Sequence, residues 1–251
     1  MRVLIISDVH ANLTALEEVL ADAEQVEWLG KTGFDTVWSI GDIVGYGPYP
    51  NQCIQRLKQF EGHLRVAGNH DWAALGRLDI RTFNADARKA VGWTRETLTD
   101  ENLAFLEALP ITFVLGDFTL AHGSPREPVW EYILDPLIAA LNFSYYQTPY
   151  CLVGHTHTPV IFRMASERGE CDAIAPEYNM RVRLNGSRQI INPGSVGQPR
   201  DSDPRASYAI LDVDSMTWEY RRIPYDFKLV QQRMERSDMP ERLINRLEHG
   251  W

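Results

Sequence analysis

The chain has 251 residues, 44% of them hydrophobic and 24% charged, and its formal net charge is −9 at pH 7. This length and composition are those of an ordinary globular protein, large enough for one α/β domain or two smaller ones. The acidic balance argues against a long nucleic-acid partner, because binding to a phosphate backbone requires a basic surface. A small anionic substrate stays open, since a bound metal ion can outweigh the local charge of the protein.

The beginning of the chain and its cysteines favour a reducing compartment. MRVLIISDVH carries one basic residue and a short apolar run that leads directly into Asp8 and His10, which predicts a buried strand and not a signal peptide. Cys53, Cys151 and Cys171 are odd in number and lack a C-x-x-C spacing, so we expect no disulfide framework. No apolar run approaches the roughly 18 residues of a membrane helix. We therefore predict a cytoplasmic protein without membrane association.

The first half of the chain alternates between strand-like and helix-like segments. We predict strands at 3–7, 36–40 and 64–68, and helices at 14–29, at 50–60 and, as a pair, within 84–109. Thr14 and Glu17 have the spacing of a capping box at the first helix, and Pro50 suits the first turn of the second. This βαβ rhythm predicts parallel strands joined by helical crossovers.

The second half is richer in antiparallel signals. We predict paired strands within 111–123 joined at Gly116–Asp117, a hairpin at 180–191 with its turn at Asn185–Gly186, a hairpin at 207–223 and a helix at 226–248. Together the two halves indicate an α/β fold of two mixed β-sheets, packed face to face and flanked by helices. Because the sequence contains no linker or repeat, we expect residues 1–251 to form a single domain.

Side chains able to bind metal follow five predicted strands, the last of which is YCLVG at 150–154. They are Asp8 and His10, then Asp42, then Asn69 with His70 and Asp71, then His122, and finally His155 and His157. Ligands bind beyond the carboxyl ends of strands in open α/β sheets, so we expect these side chains at one edge. Each also has a plainer interpretation: the carboxylates could close turns or cap a helix, and His122 could be a hydrogen-bonded core histidine. Their coincidence at five strand ends favours a metal site.

The ligand types point to two metal ions. Imidazole, carboxylate and amide groups together suit zinc, iron, manganese, nickel and magnesium. Four histidines, two aspartates and one asparagine are too many for one ion but fit two ions that share Asp42. Two ions about 3.5–4 Å apart are the usual arrangement for phosphate ester hydrolysis, in which they activate a hydroxide and clamp the phosphoryl oxygens. The ligand count also indicates that His155 and His157 split, one to each ion.

Five motifs, in this order, resemble those of the calcineurin-like metallophosphoesterase family. They are D-x-H at 8–10, GDIVGYGP at 41–48, GNHD at 68–71, HGSP at 122–125 and GHTH at 154–157. The resemblance extends through NPGSVGQPRD at 192–201 and is greatest to the small bacterial branch of predicted phosphodiesterases. It shows no departure at any ligand position. It implies a four-layer α/β/β/α sandwich and a metal-dependent phosphoric ester hydrolase.

The resemblance also implies a role for each site residue. The first ion would be held by Asp8, His10 and His157, the second by Asn69, His122 and His155, and both by Asp42. His70 would protonate the leaving oxygen or stabilise its developing charge. Asp71 would orient His70, unless it caps the following helix. The expected cofactors are two divalent ions, with manganese as the first choice and iron, zinc, nickel or magnesium as alternatives.

Several other residues adjoin these motifs. Asn12, Arg126 and Arg200 could contact a phosphate, the arginines through a bidentate fork, and ordinary surface charge is the competing explanation. Residues 124–150 contain a group of aromatic side chains, Trp130, Tyr132, Phe143, Tyr145 and Tyr146. These could cap the site and stack on a nucleobase or aryl group, or they could pack a helix against the core.

We therefore predict a dinuclear enzyme that hydrolyses a small phosphodiester or phosphomonoester. Two alternatives stay open: hydrolysis of a phosphoanhydride such as a dinucleoside polyphosphate, and a non-catalytic scaffold of the same fold. The intact ligand set and His70 favour an enzyme, because a scaffold could lose either without penalty. The expected partner is a small phosphorylated substrate, and the sequence carries no signal for an oligomeric state.

Overall fold

Two six-stranded β-sheets form the centre of the computed structural model, which describes residues 1–28, 30–60, 62, 64–165, 170–184 and 186–251. With strands numbered in chain order, the first sheet consists, from edge to edge, of β11 (Arg181–Arg183), β14 (Thr217–Ile223), β13 (Ala206–Asp212), β1 (Arg2–Ile6), β4 (Thr36–Ser39) and β5 (Leu64–Arg65). The second consists of β10 (Cys171–Ile174), β9 (Val160–Met164), β12 (Gln189–Asn192), β8 (Tyr150–Leu152), β7 (Phe118–Ala121) and β6 (Thr112–Leu115). A separate ribbon pairs β2 (Glu27–Trp28) with β3 (Lys31–Thr32).

Both sheets are mixed, and each contains a run of parallel strands. In the first sheet β1, β4 and β5 pair in parallel, whereas β13 joins β1 antiparallel and forms the predicted hairpin with β14. In the second sheet β7, β8 and β12 pair in parallel, and β6 pairs antiparallel with β7 as predicted. The α/β class with two mixed sheets is confirmed.

Eight α-helices accompany these strands within the described part of the chain. They are α1 (Leu13–Gln25), α2 (Pro50–Lys58), α3 (Asn69–Ala74), α4 (Ala85–Thr97), α5 (Asp100–Glu107), α6 (Pro136–Asn142), α7 (Phe227–Arg236) and α8 (Glu241–His249). Two short 3-10 helices span Ile80–Thr82 and Phe143–Tyr145. None of the helices in the described ranges is long and apolar enough to cross a membrane.

The sheets and helices form four layers because the central strands are apolar on both faces. In β1, Val3 and Ile5 point into the core between the two sheets, whereas Leu4 and Ile6 point into the core beneath most of the helices. Leu120 of β7 meets the first pair from the opposite sheet. A third apolar cluster packs α6 against the outer face of the second sheet. The predicted α/β/β/α sandwich is therefore the observed architecture.

The start of the first helix differs from the prediction. Asn12 is the N-cap of α1, and its side chain accepts a hydrogen bond from the Ala15 N–H (3.1 Å). The helix consequently begins at Leu13, and the capping box expected from Thr14 and Glu17 does not form. An asparagine placed directly before the helix satisfies the same free N–H groups.

One helix ends earlier than predicted, another is divided in two, and one strand is shorter. Helix α1 ends at Gln25, just before β2, and its predicted last residue, Leu29, lies outside the described residues. The predicted C-terminal helix is divided into α7 and α8, because Pro240 cannot continue a helix but suits the start of one. Strand β5 keeps only two of the residues predicted at 64–68.

The prediction of a hairpin at 180–191 is wrong, because its two strands pair with other strands and not with each other. Strand β11 pairs with β14 in the first sheet, and β12 pairs with β8 and β9 in the second. Burial explains the difference: Ile190 packs in the α6 cluster, and Ile191 packs between the sheets. Long-range packing therefore outweighs the local turn signal. Asn185, the first residue of that predicted turn, lies outside the part of the chain that the structure describes.

Candidate metal centre

All seven predicted metal ligands lie together, buried where strands of both sheets end. Loops after β1, β4 and β5 carry four of them, and loops after β7 and β8 carry the other three. None is more than 3% exposed: Asp8, His10, Asp42, Asn69, His122, His155 and His157. The two sheets therefore converge on one buried cluster of nitrogen and oxygen donors.

Five of the seven ligand residues adopt the left-handed backbone conformation. Their φ angles run from 48° to 66°, at Asp8, His10, Asp42, His155 and His157. This conformation costs a non-glycine residue about 1–3 kcal/mol and persists only where surrounding contacts hold it. One such contact links two of these loops, because the His10 N–H donates to the Asp42 carbonyl (2.9 Å). Backbone strain gathered at one point of a fold is typical of a functional site.

Asp8, His10 and His157 form the first group, with one ligand atom of each within 4.8 Å of the others. His157 Nε2 lies 3.2 Å from Asp8 Oδ1 and 3.1 Å from His10 Nε2. A backbone carbonyl orients each imidazole through its Nδ1. His10 Nδ1 contacts the Val44 carbonyl (3.2 Å), and His157 Nδ1 contacts the Gln198 carbonyl (2.5 Å). With Nδ1 as the donor, each Nε2 presents a lone pair to the centre, which is the usual tautomer of a metal-binding histidine.

Asp42, His122 and His155 form the second group, again with ligand atoms within 4.8 Å. His122 Nε2 lies 3.1 Å from Asn69 Oδ1, and its Nδ1 contacts the backbone carbonyl of Ile40 at 2.7 Å. His155 is held the other way round. Its Nε2 contacts the backbone carbonyl of Trp130 at 3.1 Å, which leaves Nδ1 as the nitrogen available to a metal. In each of the four histidines, one ring nitrogen thus contacts a backbone carbonyl, and the other is available to a metal.

Asp42 belongs to the second group and also reaches His10 of the first. Its Oδ1 accepts a hydrogen bond from the His70 N–H (2.8 Å). Its Oδ2 is buried and accepts no hydrogen bond from any residue in the described ranges. That oxygen lies 3.6 Å from His10 Nε2 and 3.2 Å from His122 Nε2, one histidine from each group. A buried carboxylate oxygen without a partner is costly, and this position fits a cation on either side of it.

The electrostatics of the cluster also suit cations. Burial lowers the pKa values of His10 and His155 well below their ordinary range, which keeps both imidazoles in the neutral form that binds metal. Burial would raise the pKa of Asp8, but the nearby histidines outweigh it and lower that pKa to about 2. His122 differs, because Asp42 and Asp8 outweigh its burial and raise its pKa to about 9. The raised pKa shows that these two carboxylates favour positive charge at the position of His122.

His70 lies beside both groups, at the start of α3. Its side chain is buried, and its Nδ1 has no hydrogen-bond partner among the residues that the structure describes. Its ring centroid is 4.9 Å from that of His10 and 4.2 Å from that of Tyr46. Ligand atoms of His10, Asp42 and His70 also lie within 4.8 Å of one another. His70 is therefore close enough to reach either a metal or a substrate, and its catalytic role stays a prediction.

Asp71 makes its hydrogen bonds to the backbone. Its two oxygens accept from the N–H groups of Gly68 (2.9 Å) and Val44 (3.1 Å). These bonds fasten the start of α3 to the loop after β4, and neither reaches the imidazole of His70. The contacts match the helix-capping alternative, in which Asp71 positions two ligand-bearing segments relative to each other.

A cavity of about 330 Å³ opens beside the cluster. Its lining combines proposed ligands, His70, one arginine and several aromatic or polar side chains: Asp42, Tyr46, Asn69, His70, Thr82, Phe83, Asn84, Ala87, Trp130, Tyr132, His155, His157 and Arg200. The size suits a small molecule, since ligand pockets usually occupy about 300–1,000 Å³.

Only one of the three residues predicted to contact substrate lines this cavity. Arg200 does, and its Nη2 donates to Gln198 Oε1 (3.0 Å). Arg126 forms an ion pair with Glu131 instead. Asn12 is buried as the α1 cap, and its Nδ2 donates to the backbone carbonyl of Gly197 (2.9 Å). To contact a substrate, Arg126 would have to leave Glu131, and Asn12 would have to leave the Gly197 carbonyl.

The aromatic residues predicted to cap the site are divided between the site and the core. Trp130 and Tyr132 line the cavity. Phe143 and Tyr146 belong to the apolar cluster under α6, and Tyr145 is exposed to solvent. The packing alternative therefore applies to Phe143 and Tyr146, whereas stacking on a ligand by Trp130 and Tyr132 stays a prediction.

Two aromatic residues of the cavity were not singled out in the sequence. Tyr46 belongs to the GDIVGYGP motif, so its distance from Asp42 was a usable signal. Phe83 follows a 3-10 helix and precedes Asn84, the N-cap of α4, far from every ligand motif. No pattern near Phe83 indicates the site, because only the tertiary fold brings it within 5.3 Å (ring centroids) of His70.

Comparison with known proteins gives matches over nearly the whole chain. The family model described as calcineurin-like phosphoesterase superfamily domain matches residues 1–216. An uncharacterized protein of Methanocaldococcus jannaschii is 34% identical in an alignment 251 positions long, which covers 98% of this chain and 96% of that protein. The crystal structure of a metallophosphoesterase from Sphaerobacter thermophilus is 47% identical, with a TM-score of 0.88 over 100% of this chain and 99% of the other.

A more distant match concerns a protein with a stated reaction. The symmetrical bis(5'-nucleosyl)-tetraphosphatase of Salmonella paratyphi A is 28% identical over 134 residues. These residues are 52% of this chain and 45% of that protein, so the chain spans less than half the length of this relative.

Proposed function

This chain belongs to the calcineurin-like phosphoesterase superfamily, and from that premise we propose that it is a dinuclear metal-dependent enzyme that hydrolyses a small phosphodiester or phosphomonoester. The position of Asp42 carries the proposal. Its buried Oδ2 accepts no hydrogen bond within the described ranges and faces His10 and His122, one from each group of ligands. A carboxylate oxygen so placed is compensated when a cation binds on each side of it.

The residues around Asp42 divide between two ions. In this proposal the first ion is held by Asp8, His10 and His157, the second by Asn69, His122 and His155, and both by Asp42. When bound, the ions would supply Lewis-acid stabilisation of the phosphoryl oxygens and a lowered pKa for a water molecule. The mixed nitrogen and oxygen donors suit manganese, with iron, zinc, nickel or magnesium as alternatives.

Two further side chains would act on the substrate itself. His70 would donate a hydrogen bond or a proton to the leaving oxygen, since its Nδ1 is unpartnered in the described structure and its side chain lines the cavity. Arg200 would hold a non-bridging phosphoryl oxygen. Its guanidinium contacts the Gln198 side chain (3.0 Å) and the Tyr46 hydroxyl (3.5 Å) but no carboxylate among the described residues. Its charge is therefore available to an anion.

The location proposed for the enzyme is the cytoplasm. Cys53, Cys151 and Cys171 are all free thiols, and the first two are buried. Unpaired cysteines are what a reducing compartment maintains.

The tetraphosphatase relative favours a second candidate, hydrolysis of a phosphoanhydride. The same ligands and the same histidine would serve that reaction, because it also transfers a phosphoryl group to water. The cavity of about 330 Å³ lies at the small end of the usual range and argues for an ester of modest size.

A substrate panel separates these candidates. The protein is loaded with manganese, its metal content is measured, and it is assayed with a chromogenic monoester, a chromogenic diester and diadenosine tetraphosphate. We expect manganese-dependent hydrolysis of an ester. Much faster hydrolysis of diadenosine tetraphosphate would select the anhydride candidate. If the protein takes up no manganese, iron, zinc, nickel or magnesium and shows no turnover with any of them, the scaffold alternative replaces the enzyme.

A further inference from the structure

Three aromatic residues line the cavity, and we call them the aromatic wall: Phe83, Trp130 and Tyr132. The rings of Phe83 and Trp130 meet edge to face, with centroids 5.2 Å apart. Trp130 and Tyr132 are 40% and 41% exposed, although both adjoin the buried cluster. Large aromatic surface left open beside a cavity is a surface that a ligand can cover.

The aromatic wall is fixed to the groups that would carry out the reaction. Tyr132 stacks on the imidazole of His155, with centroids 3.7 Å apart and planes inclined by 27°. The backbone carbonyl of Trp130 contacts His155 Nε2 at 3.1 Å. On the other side, the Phe83 ring meets His70 edge-on, with centroids 5.3 Å apart. A group resting on the wall would therefore lie within reach of a phosphoryl group at the metal ligands.

The lining of the cavity is otherwise polar, which gives a ligand a direction. Arg200 and the proposed metal ligands attract an anion, whereas the wall offers apolar ring faces. Asn84 and Thr82 line the cavity next to Phe83 and can meet polar atoms on the edge of a ring. The cavity of about 330 Å³ has room for one phosphoryl group and one ring system of modest size.

We propose that the aromatic wall binds a planar aromatic ring attached through the substrate's phosphoryl group, so that the enzyme acts on phosphoesters carrying a nucleobase or an aryl group. The proposal rests on the phosphoesterase function proposed above and narrows its substrate class. Stacking recognises the ring face, which nucleobases and aryl groups share. An alkyl phosphoester would leave Trp130 and Tyr132 exposed and would bind without this contribution.

Three S-ethyl phosphorothiolate diesters test the proposal, because they share a leaving group without a ring, ethanethiolate, whose release is measured as free thiol, and differ only in the group that stays on phosphorus. That group is thymidine 5'-yl, phenyl or methyl. We measure kcat/KM for each with the manganese-loaded wild-type protein, Trp130→Leu and Phe83→Leu. Tyr145→Leu is the matched control, since Tyr145 is an exposed aromatic residue of the same segment that does not line the cavity. Metal content is measured for every variant.

We expect Trp130→Leu to lower kcat/KM for the thymidine and phenyl esters by roughly tenfold relative to the methyl ester. Dividing the kcat/KM of each variant by the wild-type value for the same ester cancels differences in intrinsic reactivity, and comparing that ratio with the one for the methyl ester cancels a general loss of activity. A loss confined to the thymidine ester would assign the wall to nucleobases, and an equal loss for both would assign it to aryl groups in general. Equal losses for all three esters at full metal content would overturn the proposal. Absence of turnover for every ester in the wild-type protein would instead defeat the phosphoesterase function.

Discussion

Replacing Gly45 with alanine should disable His70 while every proposed metal ligand stays unchanged. A Cβ added at Gly45 would lie 2.5 Å from His70 Nδ1 and 2.8 Å from its Cγ. To restore an ordinary contact of 3.4 Å, the imidazole must move by about 0.9 Å. A displacement of about 1 Å in a catalytic group can cost roughly 100-fold in rate. We therefore expect kcat to fall by about that factor while the manganese content stays at the wild-type level.

The same substitution also strains the backbone, and a second variant isolates that effect. Gly45 has φ of +94°, in the left-handed region where alanine costs about 1–2 kcal/mol. Gly76 has φ of +73°, and its nearest atom to an added Cβ is 3.6 Å away, an ordinary contact. Gly76→Ala should therefore lose only the backbone contribution to the free energy of unfolding and keep its full kcat.

A third variant moves a proposed ligand instead of His70. A Cβ at Gly41 would lie 2.7 Å from His122 Nδ1, so Gly41→Ala should lower the metal content. Steady-state kinetics, elemental analysis and denaturant unfolding on the three variants give the comparison. Unchanged kcat in Gly45→Ala, at full metal content, would refute the placement of His70 beside the reacting atoms. Loss of metal in that variant would instead show that His70 is a ligand.

Three further substitutions test other parts of the site. Asp42→Asn should lose bound metal together with activity, because it removes the charge shared by both groups; elemental analysis showing two tightly held ions would contradict the bridging role. His70→Ala should keep both ions and lose about 10²–10⁴ in kcat, whereas full activity with saturating substrate would remove His70 from the mechanism. Glu131→Gln should lower the free energy of unfolding at pH 7 by about 1–3 kcal/mol, since the carboxylate accepts hydrogen bonds from Ser124 and Asn142 and pairs with Arg126. Burial opposes the charge of Glu131, but these partners lower its pKa from 4.5 to about 2. The stabilisation is therefore complete above pH 4.5 and decreases as the pH falls towards 2, so urea unfolding at pH 7 and pH 3 should show a smaller difference at pH 3; an equal difference would contradict the pairing.

The proposed metal ligands could be brought together from sequence because each lies within a few residues of the end of a strand. In β1 the residues from Val3 to Ile6 are apolar on both faces, and Asp8 is the first charged residue after them. The end of a strand fixes the position of the next few residues, so the parallel strands bring their ligands to a common edge. A short sequence distance from a strand end was therefore enough to place each proposed ligand in the buried cluster.

Residues distant from strand ends could not be located in this way. Arg126 and Arg200 look equivalent in sequence, since each lies near a ligand motif. The difference comes from Glu131, which pairs with Arg126, whereas Arg200 has only neutral partners among the described residues. Phe83 lines the cavity only because the tertiary fold brings its ring to within 5.3 Å (centroids) of that of His70. The Asn185–Gly186 signal failed for the same reason, because pairing in two different sheets is decided by long-range burial.

A crystal structure of the manganese-loaded protein tests the central claim most directly. Anomalous scattering measured at the manganese edge locates each ion independently of the protein model. The account predicts two ions about 3.5–4 Å apart, with Asp42 Oδ2 between them, His157 on one ion and His155 on the other. A single ion bound by both His155 and His157, or no ion at the ends of these strands, would contradict it.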